Sequence, residues 1–136
     1  MDKIKEIYRR MRNTPLYIKE DGSVTSALFL DSQGVSVDID AGREIDDIIA
    51  DEERLHILYH PNMSEDEMKE KEQALKAIVS VTKSDCDEKD VLLELDPILG
   101  ENEYHAILRK DVDTIVLTKG QRKHLAQKCK YVKKYF

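Results

Sequence analysis

The chain has 136 residues, of which 40 % are apolar and 37 % are charged, and its formal net charge is −6. This length fits one domain over residues 1–136. Two cysteines exclude a disulfide framework, and no apolar run approaches the roughly 20 residues of a membrane span. Charged residues follow Met1, so we expect no secretory signal, a cytoplasmic location and no membrane partner.

Positive charge is concentrated at the C-terminal end. Residues 119–136 hold seven Lys and Arg and no Asp or Glu, whereas the other 118 residues hold 15 basic against 28 acidic residues, a formal charge of −13. Such asymmetry bears on the choice of partner rather than on the fold.

The first part of the chain predicts a helix, a hairpin and a second helix. Apolar residues recur at helical spacing in 2–12, which predicts a helix. Residues 24–30 and 35–39 are predicted to form the strands of a β-hairpin, and in the second one apolar and polar residues alternate. A helix over 43–53 and a strand over 55–59 follow.

The second part predicts further strands between two capped helices. Ser64 and Glu67 form a capping-box pattern that opens a helix running to about residue 74, and Thr118 and Gln121 open a basic helix running to about residue 135. A loop or short helix is predicted over 83–90. The predicted strands span 77–81, 91–95, 104–108 and 114–117. Together these elements predict an α+β domain with a mostly antiparallel sheet of five or six strands and flanking helices.

Several short segments resemble a family of small uncharacterised bacterial proteins. The resemblance lies in Arg9-Arg10, in residues 24–29 and 34–38, and in Asp96-Pro97, residues 103–108 and Thr118-Lys119-Gly120-Gln121. The family has no assigned activity, so the resemblance implies a compact bacterial protein but no function. The chain departs from the pattern after Asp38, where Ile39-Asp40 stands instead of a basic residue.

No metal or cofactor site is predicted. Asp38 and Asp40 resemble the start of a calcium loop, but the glycine that such a loop needs five residues after Asp38 is Arg43. His56 and His60 are four residues apart, and in a strand that separation of about 13 Å is too long for one ion. The five glycines are not spaced as in any glycine-rich nucleotide-binding loop.

His105 is the candidate catalytic residue. In a strand, His105 and Arg109 share a face, and a histidine near neutrality with an arginine that holds an anion could serve phosphodiester cleavage. A hydrogen-bonded structural histidine is the alternative. Cys86 lies between two aspartates, which disfavour its thiolate and argue against a reactive nucleophile.

The basic C-terminal segment carries the candidate binding residues. It could bind phosphate backbones, an acidic protein surface, or the acidic body of its own domain. The predicted binding residues are Lys119, Arg122, Lys123, Lys130, Lys134 and Tyr131.

From these observations we expect a non-enzymatic interaction or regulatory protein that binds a larger protein partner through its charge-segregated surface. The alternatives are a small nuclease or phosphodiesterase using His105 and Arg109, and a weak nucleic-acid-binding accessory domain. The sequence leaves the partner and the oligomeric state open.

Overall fold

The computed structural model describes residues 4–136, and at its centre lies one six-stranded antiparallel sheet. The strands are β1 (Glu6–Arg12), β2 (Val35–Ile39), β3 (Leu75–Thr82), β4 (Leu92–Leu95), β5 (His105–Arg109) and β6 (Lys130–Lys134). Their order across the sheet is β4-β5-β2-β1-β3-β6, and every neighbouring pair is antiparallel. The predicted α+β class and strand number are therefore confirmed.

Four α-helices and two short 3₁₀ turns connect the strands within the described residues. The helices are α1 (Ile45–Leu58), α2 (Glu65–Glu70), α3 (Lys83–Asp87) and α4 (Lys119–Lys128), and the turns are Pro15–Tyr17 and Ser26–Phe29. Among residues 4–136, no helix is long and apolar enough to cross a membrane.

The two faces of the sheet differ in chemistry. One face, called here the core face, buries alternate residues of the central strands, among them Ile7, Val37 and Leu108, against the Ser26–Phe29 turn and Leu125 of α4. Because neighbouring side chains on a strand point to opposite faces, Tyr8, Arg10, Ser36, Asp38 and His105 lie on the other face. We call it the polar face. Helix α1 covers part of it, where Ile48 packs on Tyr8 and Ile78.

The predicted N-terminal helix is wrong, because residues 6–12 form β1 at the middle of the sheet. A central strand buries side chains on both faces, so its apolar pattern loses the strict alternation that marks a strand. Ile7 and Met11 pack in the main core, while Tyr8 packs under α1. Residues 2–3 of the predicted helix lie outside the described residues.

The strands predicted over 24–30 and 55–59, and with them the hairpin, are also wrong. Leu28 and Phe29 are consecutive and both fully buried, and a 3₁₀ turn directs both into the same core. Residues 55–58 continue α1, whose buried positions Ile48, Glu52, Leu55 and His56 follow helical spacing.

The C-terminal segment is half helix and half strand. Helix α4 begins at Lys119 with the predicted capping box at Thr118, but it ends at Lys128 instead of near residue 135. Tyr131 then packs against the main core, whereas Val132 packs beside the Tyr8 cluster on the opposite face. Neighbouring side chains that serve opposite faces require a strand, and this strand is β6. The strand predicted over 114–117 is an irregular segment.

The remaining predictions of local structure are confirmed in type, although the helices differ from their predicted bounds. Strands β2, β3, β4 and β5 lie within one or two residues of their predicted bounds, and α3 forms in the segment 83–90. Helix α2 has the predicted capping box at Ser64, although it ends at Glu70, four residues early.

Candidate functional site

The register between β2 and β5 brings Ser36 and His105 together on the polar face. Asp38 is directly opposite His105, and Ser36 is directly opposite Ile107, so Ser36 is the diagonal neighbour of His105. His105 Nε2 lies 3.2 Å from Ser36 Oγ. Ser36 is exposed to solvent, which leaves its hydroxyl accessible to a ligand.

The second ring nitrogen of His105 is held by Asp96, the residue that follows β4. His105 Nδ1 lies 2.9 Å from the Asp96 carbonyl oxygen and 3.2 Å from its carboxylate oxygen Oδ2. Both oxygens can only accept, so the proton of the neutral imidazole belongs on Nδ1 and leaves Nε2 to accept from the Ser36 hydroxyl. Serine, histidine and aspartate are thus connected in the order that activates a serine nucleophile.

Arg9 fills the gap where β1 and β2 separate. The two strands pair only at Ile7–Ile39 and Tyr8–Asp38. Beyond that point Arg9 Nη1 donates to the Ser36 carbonyl at 2.8 Å, and Nε donates to the Leu28 carbonyl at 2.8 Å. Burial lowers the pKa of Arg9 to about 10, so the guanidinium remains charged at neutral pH. It therefore fixes the β2 backbone at Ser36.

Arg10 lies on the polar face between two buried carboxyl groups. Its Nη1 is 3.6 Å from Asp38 Oδ2 and 3.6 Å from Glu52 Oε1. These separations exceed hydrogen-bond distance, and within residues 4–136 Arg10 Nη1 and both Glu52 oxygens have no hydrogen-bond partner. The guanidinium also faces the Tyr59 ring, 5.6 Å from its centroid.

The two carboxyl groups beside Arg10 differ in environment. Asp38 accepts a hydrogen bond of 2.6 Å from the buried Asn102 side chain. Glu52 is fully buried, and burial followed by the nearby Asp38 carboxyl raises the pKa of Glu52 so far that this group is neutral at pH 7. At neutral pH Arg10 therefore faces one full negative charge.

These side chains line a small polar cavity that encloses about 60 Å³. Arg9, Arg10, Ser36, Asp38 and His105 contribute to its wall. Residues that carry a hydroxyl nucleophile, a base and guanidinium groups thus line one space, which is an arrangement suited to reaction at a small polar group.

Arg109, the predicted partner of His105, does not lie near it. The two residues share the polar face of β5, but four residues along a strand span about 13 Å and Ile107 stands between them. Arg109 Nη1 donates to Glu94 at 3.1 Å, and Nη2 donates to the Val112 carbonyl at 3.4 Å. Arg109 therefore joins β5 to β4 and the following loop, and the groups near His105 are Ser36 and Asp96.

The predicted binding residues lie on two different elements. Lys119, Arg122 and Lys123 are on α4, whereas Lys130, Tyr131 and Lys134 are on β6. Arg122 donates to the Leu117 carbonyl at 2.8 Å, and the Tyr131 hydroxyl donates to the Gly22 carbonyl at 2.9 Å. Lys119, Lys123, Lys130 and Lys134 are exposed.

The His56–His60 pair differs from its prediction, because residue 56 is helical. The ring centroids are only 4.5 Å apart, and the interior residue His56 contacts the Gln73 carbonyl through Nε2 at 2.7 Å. Burial lowers the pKa of His56, which favours the neutral ring.

Within residues 4–136, no three His, Cys, Asp or Glu side chains are placed to hold a metal ion. Asp40, the other carboxylate considered for a calcium loop, accepts from the backbone amides of Lys5, Glu6 and Ala41.

Both cysteines are free thiols. Burial raises the pKa of Cys86 to about 12 and that of Cys129 to about 11. The neighbouring aspartates raise the pKa of Cys86 further, as expected, but burial is the larger cause. The prediction that Cys86 is an unreactive thiol is therefore supported.

Sequence reasoning missed most residues of this site. Ser36, Asp96, Arg10 and Glu52 carry no short motif, and they come from four separate segments of the chain. The alternation of apolar and polar residues in β2 does predict that Ser36 lies on a solvent-exposed face, and His105 is likewise a polar residue on one face of β5. Arg10, Ser36, Asp96 and His105 also fall in the segments that resemble the bacterial family, but neither signal identifies which two strands are neighbours.

Comparison with protein-family models, curated proteins and solved structures gives no match. We therefore infer the function from the geometry of the site.

Proposed function

We propose that this chain is a hydrolase in which Ser36 is the nucleophile, His105 is the general base and Asp96 orients the imidazole. The observation that carries the proposal is the pair of contacts made by one ring, Nε2 to Ser36 Oγ and Nδ1 to Asp96. Such a pairing raises the nucleophilicity of a serine hydroxyl that is otherwise weak at neutral pH.

The reaction would proceed in two displacements. Ser36 Oγ forms a bond to the electrophilic atom of an ester while its proton moves to His105 Nε2, and that proton then passes to the departing alcohol oxygen. Water next attacks the ester formed on Ser36, gives a proton to Nε2 and releases the acid, and Ser36 recovers its proton. The guanidinium group of Arg10 favours the negative charge that develops on the attacked group.

Covalent labelling with a fluorophosphonate tests this proposal, because the reagent reacts with activated serine hydroxyls. We expect peptide mapping to place the label on Ser36, with the loss of labelling in Ser36→Ala and much slower labelling in His105→Ala. Ser32→Ala is the matched control, since Ser32 is an exposed serine in the turn before β2. Labelling of Ser32 at a rate equal to that of Ser36, or no labelling of Ser36, would rule out an activated nucleophile.

A second candidate function is the binding of an acidic protein partner, and the exposed lysines of α4 and β6 favour it. Lys119, Lys123, Lys130 and Lys134 all reach solvent while the rest of the chain is strongly acidic. Binding of a nucleic acid by the same lysines is less favoured, because the acidic residues in the rest of the chain repel a polyanion.

Titrations of a labelled polyglutamate peptide and of a labelled DNA duplex at two salt concentrations separate these forms. For three or four contacted phosphates, the slope of log K against log salt is about −3, so duplex binding should be lost near physiological salt. A Lys123→Glu/Lys130→Glu variant is the control and should bind neither probe. Tight duplex binding at high salt would instead favour a nucleic-acid-binding protein, and binding of neither probe at low salt would exclude this second function.

A further inference from the structure

We infer that the Ser36 cavity recognises the phosphate group of a phosphoester, and that Arg10 is the residue that binds it. This inference rests on the proposed function, because it names the substrate class of the same site. It gives to Arg10 the anion-binding role that the sequence suggested for Arg109.

The position of Arg10 suits that role. Tyr8 of β1 is directly opposite Asp38 of β2, and Arg10 and Ser36 each lie two residues beyond that pair, on the same face. Both side chains line the cavity together with His105. Arg10 therefore lines the same cavity as the residue whose hydroxyl would attack the bound group.

Arg10 is also the arginine with the weakest contacts to the protein. Each of the other six arginines donates a hydrogen bond of 3.1 Å or shorter to a protein oxygen. In contrast, Arg10 Nη1 is 3.6 Å from both Asp38 and Glu52, with no hydrogen-bond partner among the described residues. A planar guanidinium with unused donors is the side chain best suited to two oxygens of a phosphate.

The charge around the cavity favours an anion. Glu52 is fully buried and neutral at pH 7, so the carboxylate that faces Arg10 is Asp38, which also accepts a hydrogen bond from the Asn102 amide. Arg9 also lines the cavity, and the Asp96 carboxylate lies on the Nδ1 side of the His105 ring, so the charged residues of the cavity wall itself are two arginines and one aspartate. The cavity is small and polar, which fits a phosphate group and leaves the esterified alcohol outside.

The chemistry of such a substrate balances with the groups present. Ser36 Oγ bonds to phosphorus as the bond from phosphorus to the alcohol oxygen breaks, and the serine proton passes through His105 Nε2 to that alcohol. Water then breaks the bond from phosphorus to Ser36 and releases the phosphate product. Neither step requires an oxidant or a reductant.

The test measures binding of inorganic phosphate by calorimetry, together with hydrolysis of p-nitrophenyl phosphate and of the neutral ester p-nitrophenyl acetate. We expect Arg10→Gln to weaken phosphate binding and to slow phosphate-ester hydrolysis, each by roughly tenfold or more, because a charged hydrogen bond is lost. Hydrolysis of the neutral ester should change much less. Arg54→Gln is the matched control, since Arg54 is a half-exposed arginine on the outer surface of α1.

Arg10→Gln leaves buried carboxyl groups without a cation, so Arg10→Lys provides a second variant that keeps the charge. It should fold as the parent does but bind phosphate more weakly, because an ammonium cannot contact two oxygens in one plane. In the unaltered protein, phosphate should also slow fluorophosphonate labelling of Ser36.

The outcomes separate the two proposals. Phosphate binding that depends on Arg10 in a protein whose Ser36 cannot be labelled would support an anion site and reject the hydrolase. If Ser36 is activated but the protein does not bind phosphate, or both Arg10 variants bind phosphate as tightly as the parent, the hydrolase proposal stands and the inference is overturned.

Discussion

At the scale of single residues, Glu52 is the least expected feature of the molecule. It lies on α1, is fully buried, and faces Arg10 and Asp38 with both oxygens unpaired among the described residues. A buried carboxylate without hydrogen bonds is costly, and protonation removes most of that cost. The stability of the fold should therefore depend on pH through this residue.

The sign of that dependence follows from the raised pKa. An unfolded glutamate loses its proton near pH 4.3, whereas folded Glu52 keeps it well above neutrality. Above about pH 5 folding must therefore take up a proton, so this group lowers stability as the pH rises. Glu52→Gln has no proton to lose, so its advantage over the parent should grow by about 1–3 kcal/mol between pH 5 and pH 8.

Denaturant melts at the two pH values measure this difference. Glu70→Gln is the control, because Glu70 is an exposed glutamate at the end of α2 and should show no pH-dependent gain. Equal pH profiles for Glu52→Gln and the parent would mean that Glu52 is ionised in the folded protein.

At the scale of elements, α4 begins where its capping box predicts. Thr118 Oγ accepts from the Gln121 amide at 3.1 Å, and Gln121 Oε1 accepts from the Thr118 amide at 2.9 Å. Leu125, further along the helix, is completely buried in the main core. The cap and the buried leucine should therefore contribute separately to stability.

Two substitutions test these contributions by denaturant unfolding. Thr118→Ala removes the capping hydroxyl and should cost about 1 kcal/mol. Leu125→Ala leaves a cavity in the core and should cost about 2–5 kcal/mol. Lys123→Ala, an exposed position on the same helix, should be close to neutral. A neutral Leu125→Ala would show that α4 is not docked on the sheet.

At the scale of the whole molecule, the basic C-terminal charge has a structural explanation. β6 is an edge strand, and Lys130, Lys133 and Lys134 lie on it. Charged side chains on an edge discourage pairing with another chain. Lys133 also bonds to Glu53 of α1 at 3.0 Å, so part of this charge neutralises the acidic body of the same molecule.

Removing charge from this edge should therefore promote association. Lys130→Val/Lys134→Val should give larger species on light scattering as concentration rises, because the edge becomes apolar and rich in β-branched residues. The matched control is Lys119→Val/Lys123→Val, which removes two exposed lysines from α4 instead. Equal association by both variants would point to net charge and not to strand pairing.

Features that depend only on neighbours in the chain could be predicted from the amino-acid order. The capping boxes at Ser64 and Thr118 join residues three apart, so their hydrogen bonds form wherever those residues occur. Strand β2 was predicted for a similar reason, since its apolar and polar residues alternate when one face is wet.

Elements that pack side chains on both faces of the sheet depend on tertiary contacts. β1 lies between β2 and β3 and buries side chains on both sides, so its pattern matched a helix equally well. β6 is a strand because Tyr131 and Val132 pack in different clusters on opposite faces of the sheet. No local sequence signal at Cys129 predicts that the helix ends there.

The candidate site also depends on tertiary structure. Ser36 and His105 are 69 residues apart in the chain, and they touch because β2 pairs with β5 in one register. A shift of that register by one residue would turn every side chain of β2 to the opposite face. The sequence predicts that His105 lies on a solvent-exposed strand face. Only the pairing of β2 with β5 shows that Ser36 is its neighbour and that Arg109 is too distant to contact it.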